Sequence, residues 1–221
     1  PYLDPPPVQR GQPRTPYSRT YVLLPPSADA AWAQAVVSAT WDEHRFTIGG
    51  SADDAGVGNL DSRRVVAVNP AVWGDDLRAF FAVHYPGVAY IAVEASSPAD
   101  LETALRDLPA VEDQPPAQPG PQRGQPRAPY TRTYLLLPPG ADEPWAAAVV
   151  HATWDERRFT IGGSADDAGI GDLDSRRVIA VNPEAWGGDL GCFFETYYPG
   201  VVYVPLVADT PPELIARLAQ L

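Results

Sequence analysis

The feature that most constrains the fold of this chain is an internal repeat. Shifting the sequence by 113 positions aligns residues 9–108 with residues 122–221 without a gap, and 66 of the 100 aligned positions are identical. A repeat of this length is too long for a solenoid unit and long enough for a domain. With 221 residues, 45% of them apolar, the chain can form two packed units of that size. We therefore predict two homologous domains in tandem, covering residues 16–108 and 129–221.

Proline-rich segments precede both repeats. A leader covers residues 1–15 and a linker covers residues 109–128, and the element QRGQPR occurs in both. Such composition favours an extended, semi-rigid chain. Residue 1 is a proline and the sequence has no Met, so we expect a fragment or a mature product of a longer protein. The layout resembles accessory modules appended to a larger bacterial extracellular or cell-envelope protein, which predicts that location.

Apolar periodicity within the first repeat predicts alternating strands and helices. Apolar β-rich runs predict strands in 19–26, 63–70 and 88–95, and helical spacing predicts helices in 30–43, 75–83 and 98–108. The short run RFTIGGS after the first helix is ambiguous between an edge strand and a helix tail. The order β-α-(β)-β-α-β-α indicates the α/β class. We predict, for each repeat, a small three-layer domain with a mainly parallel sheet of 3–4 strands and helices on both faces.

Charge and composition exclude several partner classes. The formal net charge is −12, which disfavours nucleic acid and anionic membranes, because both attract clustered basic residues. No apolar run approaches the length that would span a bilayer, so we expect no membrane insertion. Cys192 is the single cysteine, so no disulfide within the chain and no cysteine-based zinc site is possible. We predict neither a cofactor nor a metal.

Comparison of the two repeats tests for catalytic residues. None of the three histidines recurs: His44 aligns with Arg157, His84 with Tyr197, and His151 with Ser38. Cys192 aligns with Ala79. A histidine- or cysteine-based mechanism operating in both repeats is therefore excluded, and we expect a protein that is not an enzyme.

The differences between the repeats are unevenly distributed. Only four of the 32 positions in 39–70 differ, whereas 17 of the 27 positions in 82–108 differ. The constrained region contains the glycine-rich acidic segment FTIGGSADDAGVGNLDSRR, which recurs as FTIGGSADDAGIGDLDSRR. Long loops in compact domains are often binding elements. A rigid loop held by bonds between its own carboxylates and arginines is the structural alternative.

We predict that ligand binding involves this loop and repeated aromatic side chains. Carboxylates accept hydrogen bonds from hydroxyl groups, an arginine donates in pairs, and an indole can stack on a sugar ring. Core packing is the alternative role for the aromatic residues. The candidate binding residues are Asp53, Asp54, Asp61, Arg63 and Trp73, with Asp166, Asp167, Asp174, Arg176 and Trp186 in the second repeat. A polysaccharide such as a cell-wall polymer is the first candidate ligand, and a protein is the second.

Other chemistries fit the loop less well. The segment lacks GxxxxGK[ST], and no GxGxxG opens a helix after the first strand, which disfavours a nucleotide site. The three acidic residues do not have EF-hand spacing, and Arg63 and Arg64 would repel a cation. Two functional alternatives stay open: a carboxylate-dependent hydrolase that uses the loop aspartates, and a structural assembly domain in which the repeats pack on each other.

Overall fold

The computed structural model describes residues 19–41, 45–49, 63–74, 76–84, 88–109, 132–156, 158–162, 176–197 and 201–221. These residues form an α/β structure with eight strands and six helices. The predicted α/β class and the mainly parallel sheet are therefore confirmed. The division into two domains stays a prediction, because the strands of both repeats belong to one sheet.

The elements follow the same order in both repeats. In the first repeat they are β1 (Arg19–Leu23), α1 (Ala30–Thr40), β2 (Arg45–Gly49), β3 (Arg63–Val68), α2 (Leu77–His84), β4 (Ala89–Val93) and α3 (Pro98–Arg106). In the second they are β5 (Arg132–Leu136), α4 (Glu143–Thr153), β6 (Arg158–Gly162), β7 (Arg176–Val181), α5 (Leu190–Tyr197), β8 (Val202–Leu206) and α6 (Pro211–Leu218). A short 3₁₀ turn, which periodicity alone did not predict, follows β3 at Pro70–Trp73 and β7 at Pro183–Trp186.

The strands are ordered β4-β3-β1-β2-β6-β5-β7-β8. All neighbouring pairs are parallel except β2 and β6, which are antiparallel. The run RFTIGG therefore does contain a strand, which resolves its ambiguity. β2 is the outermost strand of its own repeat, and it lies at the centre of the complete sheet because β6 pairs with it.

Helices cover both faces of the sheet, as predicted. On the first face, α3, α1, α4 and α6 form a layer in which α1 contacts both α3 and α4, and α4 contacts α6. This layer and the sheet enclose one apolar core shared by both repeats. On the second face, α2 and α5 each cover a smaller core that belongs to one repeat. The two repeats thus share a core on one face only.

Local sequence signals explain where the helices begin. The Asp29 carboxylate accepts a hydrogen bond from the Ala31 N–H (3.0 Å), so it caps α1. The Ser97 hydroxyl caps α3 by accepting from the Asp100 N–H (3.2 Å), and Pro98 occupies the first turn. In the described parts of the chain, no helix has the length and apolarity required to cross a membrane.

Candidate functional site

The topology places a crevice at the carboxyl ends of β1 and β3. These strands are neighbours, but the chain leaves β1 towards α1 on the first face and leaves β3 towards α2 on the second. Connections that diverge in this way open a crevice at the carboxyl edge of a parallel sheet, where ligands of α/β proteins commonly bind. The second repeat has an equivalent crevice between β5 and β7.

An asparagine fixes the backbone at the carboxyl end of β3 and of β7. The Asn69 side chain accepts from the Ala95 N–H (2.8 Å) and donates to the Ala95 carbonyl (2.9 Å), which joins the chain after β3 to the chain after β4. Asn182 makes the same two bonds to Ala208. Both asparagines have positive φ angles, 48° and 49°, a conformation that asparagine tolerates better than most residues. The sequence analysis predicted a strand over 63–70 and no bridging role for the asparagine within it.

The 3₁₀ turn after each asparagine positions a candidate tryptophan. Trp73 and Trp186 end these turns and are half-buried against the cores of the second face. The indole N–H groups of both residues are buried and have no hydrogen-bond acceptor among the described residues. A buried indole N–H normally has a partner. Each repeat therefore contains one desolvated donor without an acceptor among the described residues, in the turn that follows β3 or β7.

The candidate residues of the acidic loop are not placed by the structure. The candidate aspartates, Asp53, Asp54, Asp61, Asp166, Asp167 and Asp174, lie outside the described residues. The segment that contains the first three leaves β2 at its carboxyl end, on the edge where the β1/β3 crevice lies, since the Leu24 N–H donates to the Gly49 carbonyl (2.8 Å).

The backbone of the candidate arginines lies at the opposite edge of the sheet. Arg63 is the first residue of β3 and Arg176 is the first residue of β7. Trp73 follows the other end of β3, and a strand of six residues spans about 20 Å. The structure therefore does not bring the backbone of Arg63 close to Trp73.

The neighbouring arginine has a structural role that the sequence only partly indicated. Arg64 is 7% exposed, and its guanidinium donates to the Thr20 hydroxyl (2.9 Å) and to the Pro109 carbonyl (2.7 Å). Its equivalent, Arg177, donates to the Thr133 hydroxyl (2.9 Å) and forms an ion pair with Glu156 (2.6 Å). Alternation along β3 places Arg64 on the face of Val66 and Val68. The alternation that places Arg64 on this buried face was visible in the sequence.

A tyrosine extends the apolar surface of the second face in each repeat. Tyr90 packs on Phe81, with 5.6 Å between ring centroids, and the Arg78 guanidinium lies 5.0 Å from the centroid of the Tyr90 ring. Burial raises the pKa of Tyr90, and the nearby Arg78 charge partly opposes that increase. Burial also raises the pKa of Tyr203, as does the negative charge of Asp189. Both phenols are therefore protonated at neutral pH and can act as hydrogen-bond donors.

The described residues contain no group of three or more His, Cys, Asp or Glu side chains that could hold a metal ion. In each repeat, a bridging asparagine precedes a short turn that ends at a tryptophan. The indole N–H of that tryptophan is buried and has no acceptor among the described residues. Comparison with protein-family models, curated protein sequences and solved structures found no match to this chain.

Proposed function

We propose that the two repeats are homologous, non-catalytic binding domains that bind a carbohydrate or cell-wall polymer, with a protein as the second candidate ligand. In this proposal each repeat is a three-layer domain with its own four strands. The protein acts as an accessory module of a larger bacterial extracellular or cell-envelope protein. Two linked sites raise the overall affinity without additional contacts at either site.

The observation that carries the proposal is the buried indole N–H of Trp73, repeated at Trp186. Both tryptophans follow the carboxyl end of a parallel strand, the edge at which ligands of α/β proteins commonly bind, and neither N–H has an acceptor among the described residues. Hydroxyl-rich polymers supply many acceptor oxygens, and the exposed part of an indole can pack on a sugar ring. The acidic loop begins at the same edge of the sheet, so its carboxylates are proposed to accept bonds from ligand hydroxyls.

The decisive experiment replaces the indole ring, which carries the N–H donor, with a phenyl ring, which has no donor. We expect the double variant Trp73→Phe, Trp186→Phe to bind at least tenfold more weakly to insoluble peptidoglycan and to soluble polysaccharides, measured by cosedimentation and affinity electrophoresis. The variant loses no hydrogen bond within the described residues, so any fall in its unfolding midpoint should reflect only the smaller ring. Asp54→Ala with Asp167→Ala tests the loop in the same assays.

The chain offers a matched control for the tryptophans. Trp32 and Trp145 are also half-buried, but they lie on α1 and α4 and pack against the core of the first face. Trp32→Phe with Trp145→Phe should leave binding unchanged. Wild-type binding by both the crevice and the loop variants would contradict the proposal. Release of soluble fragments from the polymer by the wild type would instead support the hydrolase alternative.

A further inference from the structure

The two repeats meet along a seam made by β2, β6, α1 and α4. In the antiparallel pair, Thr47 lies opposite Thr160, which is its own equivalent 113 positions later. Phe46 lies opposite Ile161 and Ile48 opposite Phe159, so each contact occurs a second time with the repeats exchanged. This register defines a pseudo-two-fold axis between the two threonines. Because α1 and α4 lie on the same face of the sheet, the axis is perpendicular to the sheet.

The same pseudo-two-fold axis relates the helices α1 and α4, which lie on one face of the sheet. α1 packs directly on α4. The Gln34 side chain donates to the carbonyl of Ala147 (2.8 Å), and Ala147 is the equivalent of Gln34 in the second repeat. The axis therefore passes through this contact as well. Ala147 has no polar side chain, so the bond is made once, and it distinguishes a pair of unlike repeats from a pair of identical ones.

The seam is as thoroughly buried as the interior of either repeat. Phe46, Ile48, Phe159 and Ile161 are each no more than 1% exposed. They contribute to the one core that both repeats share. A repeat without its partner would expose this apolar surface together with an unpaired strand edge, a combination that promotes association.

We propose that the seam is a self-complementary docking surface, through which a repeat binds a second repeat of its own kind without needing a covalent link. Its chemistry is that of an isologous dimer interface, in which one surface serves both partners. The 22 undescribed residues between the repeats (110–131) could extend up to roughly 70 Å, about twice the width of an eight-stranded sheet. The length of the link therefore does not impose the observed register, which arises from the seam.

The experiment cleaves the intact, folded protein between its repeats. A recognition site for a specific protease is inserted between Ala117 and Gln118, and the purified chain is cut completely. We expect the two fragments to co-elute in size-exclusion chromatography at micromolar concentration, with a mass close to the 23.8 kDa of the uncut chain. Their circular dichroism spectrum should match that of the uncut protein. Fragments that separate into two species of about half that mass would overturn the proposal.

A cross-link tests whether the fragments are held by the seam. Thr47→Cys and Thr160→Cys are introduced in a Cys192→Ser background, because directly opposed positions in an antiparallel pair lie within disulfide distance. After oxidation and cleavage, a non-reducing denaturing gel should show one band, and reduction should give two. Thr47→Cys without Thr160→Cys is the control and should give two fragment bands. Co-elution without this cross-link would also overturn the proposal. Ligand binding is not measured, so the result is independent of the proposed function.

Discussion

The strands at the seam and at the margins of the sheet have diverged very differently. β2 and β6 have the same sequence, RFTIG, whereas β4 (AYIAV) and β8 (VYVPL) differ at four of five positions. All four belong to a single sheet. β2 and β6 each have a strand on both sides, and on one of those sides the neighbour is their own equivalent. β4 and β8 each have one neighbour, which belongs to the same repeat.

This difference indicates how the seam constrains the sequence. A substitution in β2 alters a contact with β6, and the matching substitution in β6 alters the contact that is symmetric to it. A substitution in β4 alters contacts with β3 and with the helices of its own repeat, and it alters none with the other repeat's strands. The seam therefore accounts for the identity of residues 45–49. Residues 50–62 are also nearly identical in the two repeats, but they lie outside the described residues, so this explanation does not extend to them.

The largest expected change in unfolding free energy comes from a proline substitution at the seam, which we compare with a proline substitution at the margin of the sheet. Thr47→Pro removes a ladder hydrogen bond from a strand with neighbours on both sides, and we expect it to lower the free energy of unfolding by about 3 kcal/mol or more. Ala92→Pro should lower it by less than about 1 kcal/mol, because an edge strand tolerates proline on its outward side. The second repeat already has Pro205 at the equivalent position. Urea unfolding measures both, and equal losses would contradict the comparison.

Asn69 tests a residue that both repeats retain outside the seam. Asn69→Ala removes two hydrogen bonds to Ala95 and places alanine at a φ of 48°. We expect a loss of about 2–3 kcal/mol in unfolding free energy. Asn182→Ala should cost a similar amount. Asn69→Gly, which relieves the backbone strain and still lacks the bonds, should lose less. A loss below about 0.5 kcal/mol for Asn69→Ala would show that the bridge is not structurally important.

Most of the fold was predictable because its signals are local. The apolar β-rich runs, the helical spacing of apolar residues and the 113-residue repeat together predict the order of elements and the α/β class. The position of β2 was not predictable, since five residues of mixed polarity fit an edge strand or a helix end equally well. Its partner is a distant copy of itself. Neither periodicity nor composition encodes that pairing.

The candidate site was predicted less completely for a related reason. Trp73 and Trp186 were predicted as candidate binding residues because they occur in both repeats. The sequence does not show that their N–H groups are buried without an acceptor among the described residues. The bridge from Asn69 to Ala95 was not predicted, because it depends on how β3 and β4 lie side by side. Contacts between segments that are distant in the sequence could not be predicted from local sequence patterns.

Gln34 sharpens the comparison within the seam itself, because it is one of the few residues there that differs between the repeats. Gln34→Ala removes the part-buried bond to the Ala147 carbonyl, and we expect it to lower the free energy of unfolding by about 1 kcal/mol. Cleaved fragments should associate about fivefold more weakly, which is the same free energy expressed as an equilibrium constant. Ser38→Ala, on the same helix, is the control and should have little effect. Unchanged association would mean that this bond does not contribute to the stability of the seam.

The smallest effect concerns acid stability at the margin, where α3 and α6 have diverged. The Glu213 carboxylate accepts from the Asp209 N–H (3.0 Å) and pairs with Arg217 (3.2 Å), and these contacts lower its pKa below the ordinary value of 4.5. A carboxyl whose pKa is lower in the folded state stabilises the fold above the unfolded pKa, and that stabilisation is lost as pH falls through the folded pKa. We therefore expect Glu213→Gln to be less stable than the wild type at neutral pH and equally stable once the pH is below the folded pKa. The difference should be small because the group is exposed. Urea unfolding across this pH range, with Glu195→Gln as the control for loss of one exposed charge, measures it. A gap between Glu213→Gln and the wild type that stays constant with pH would show that the ionised carboxylate contributes nothing specific to α6.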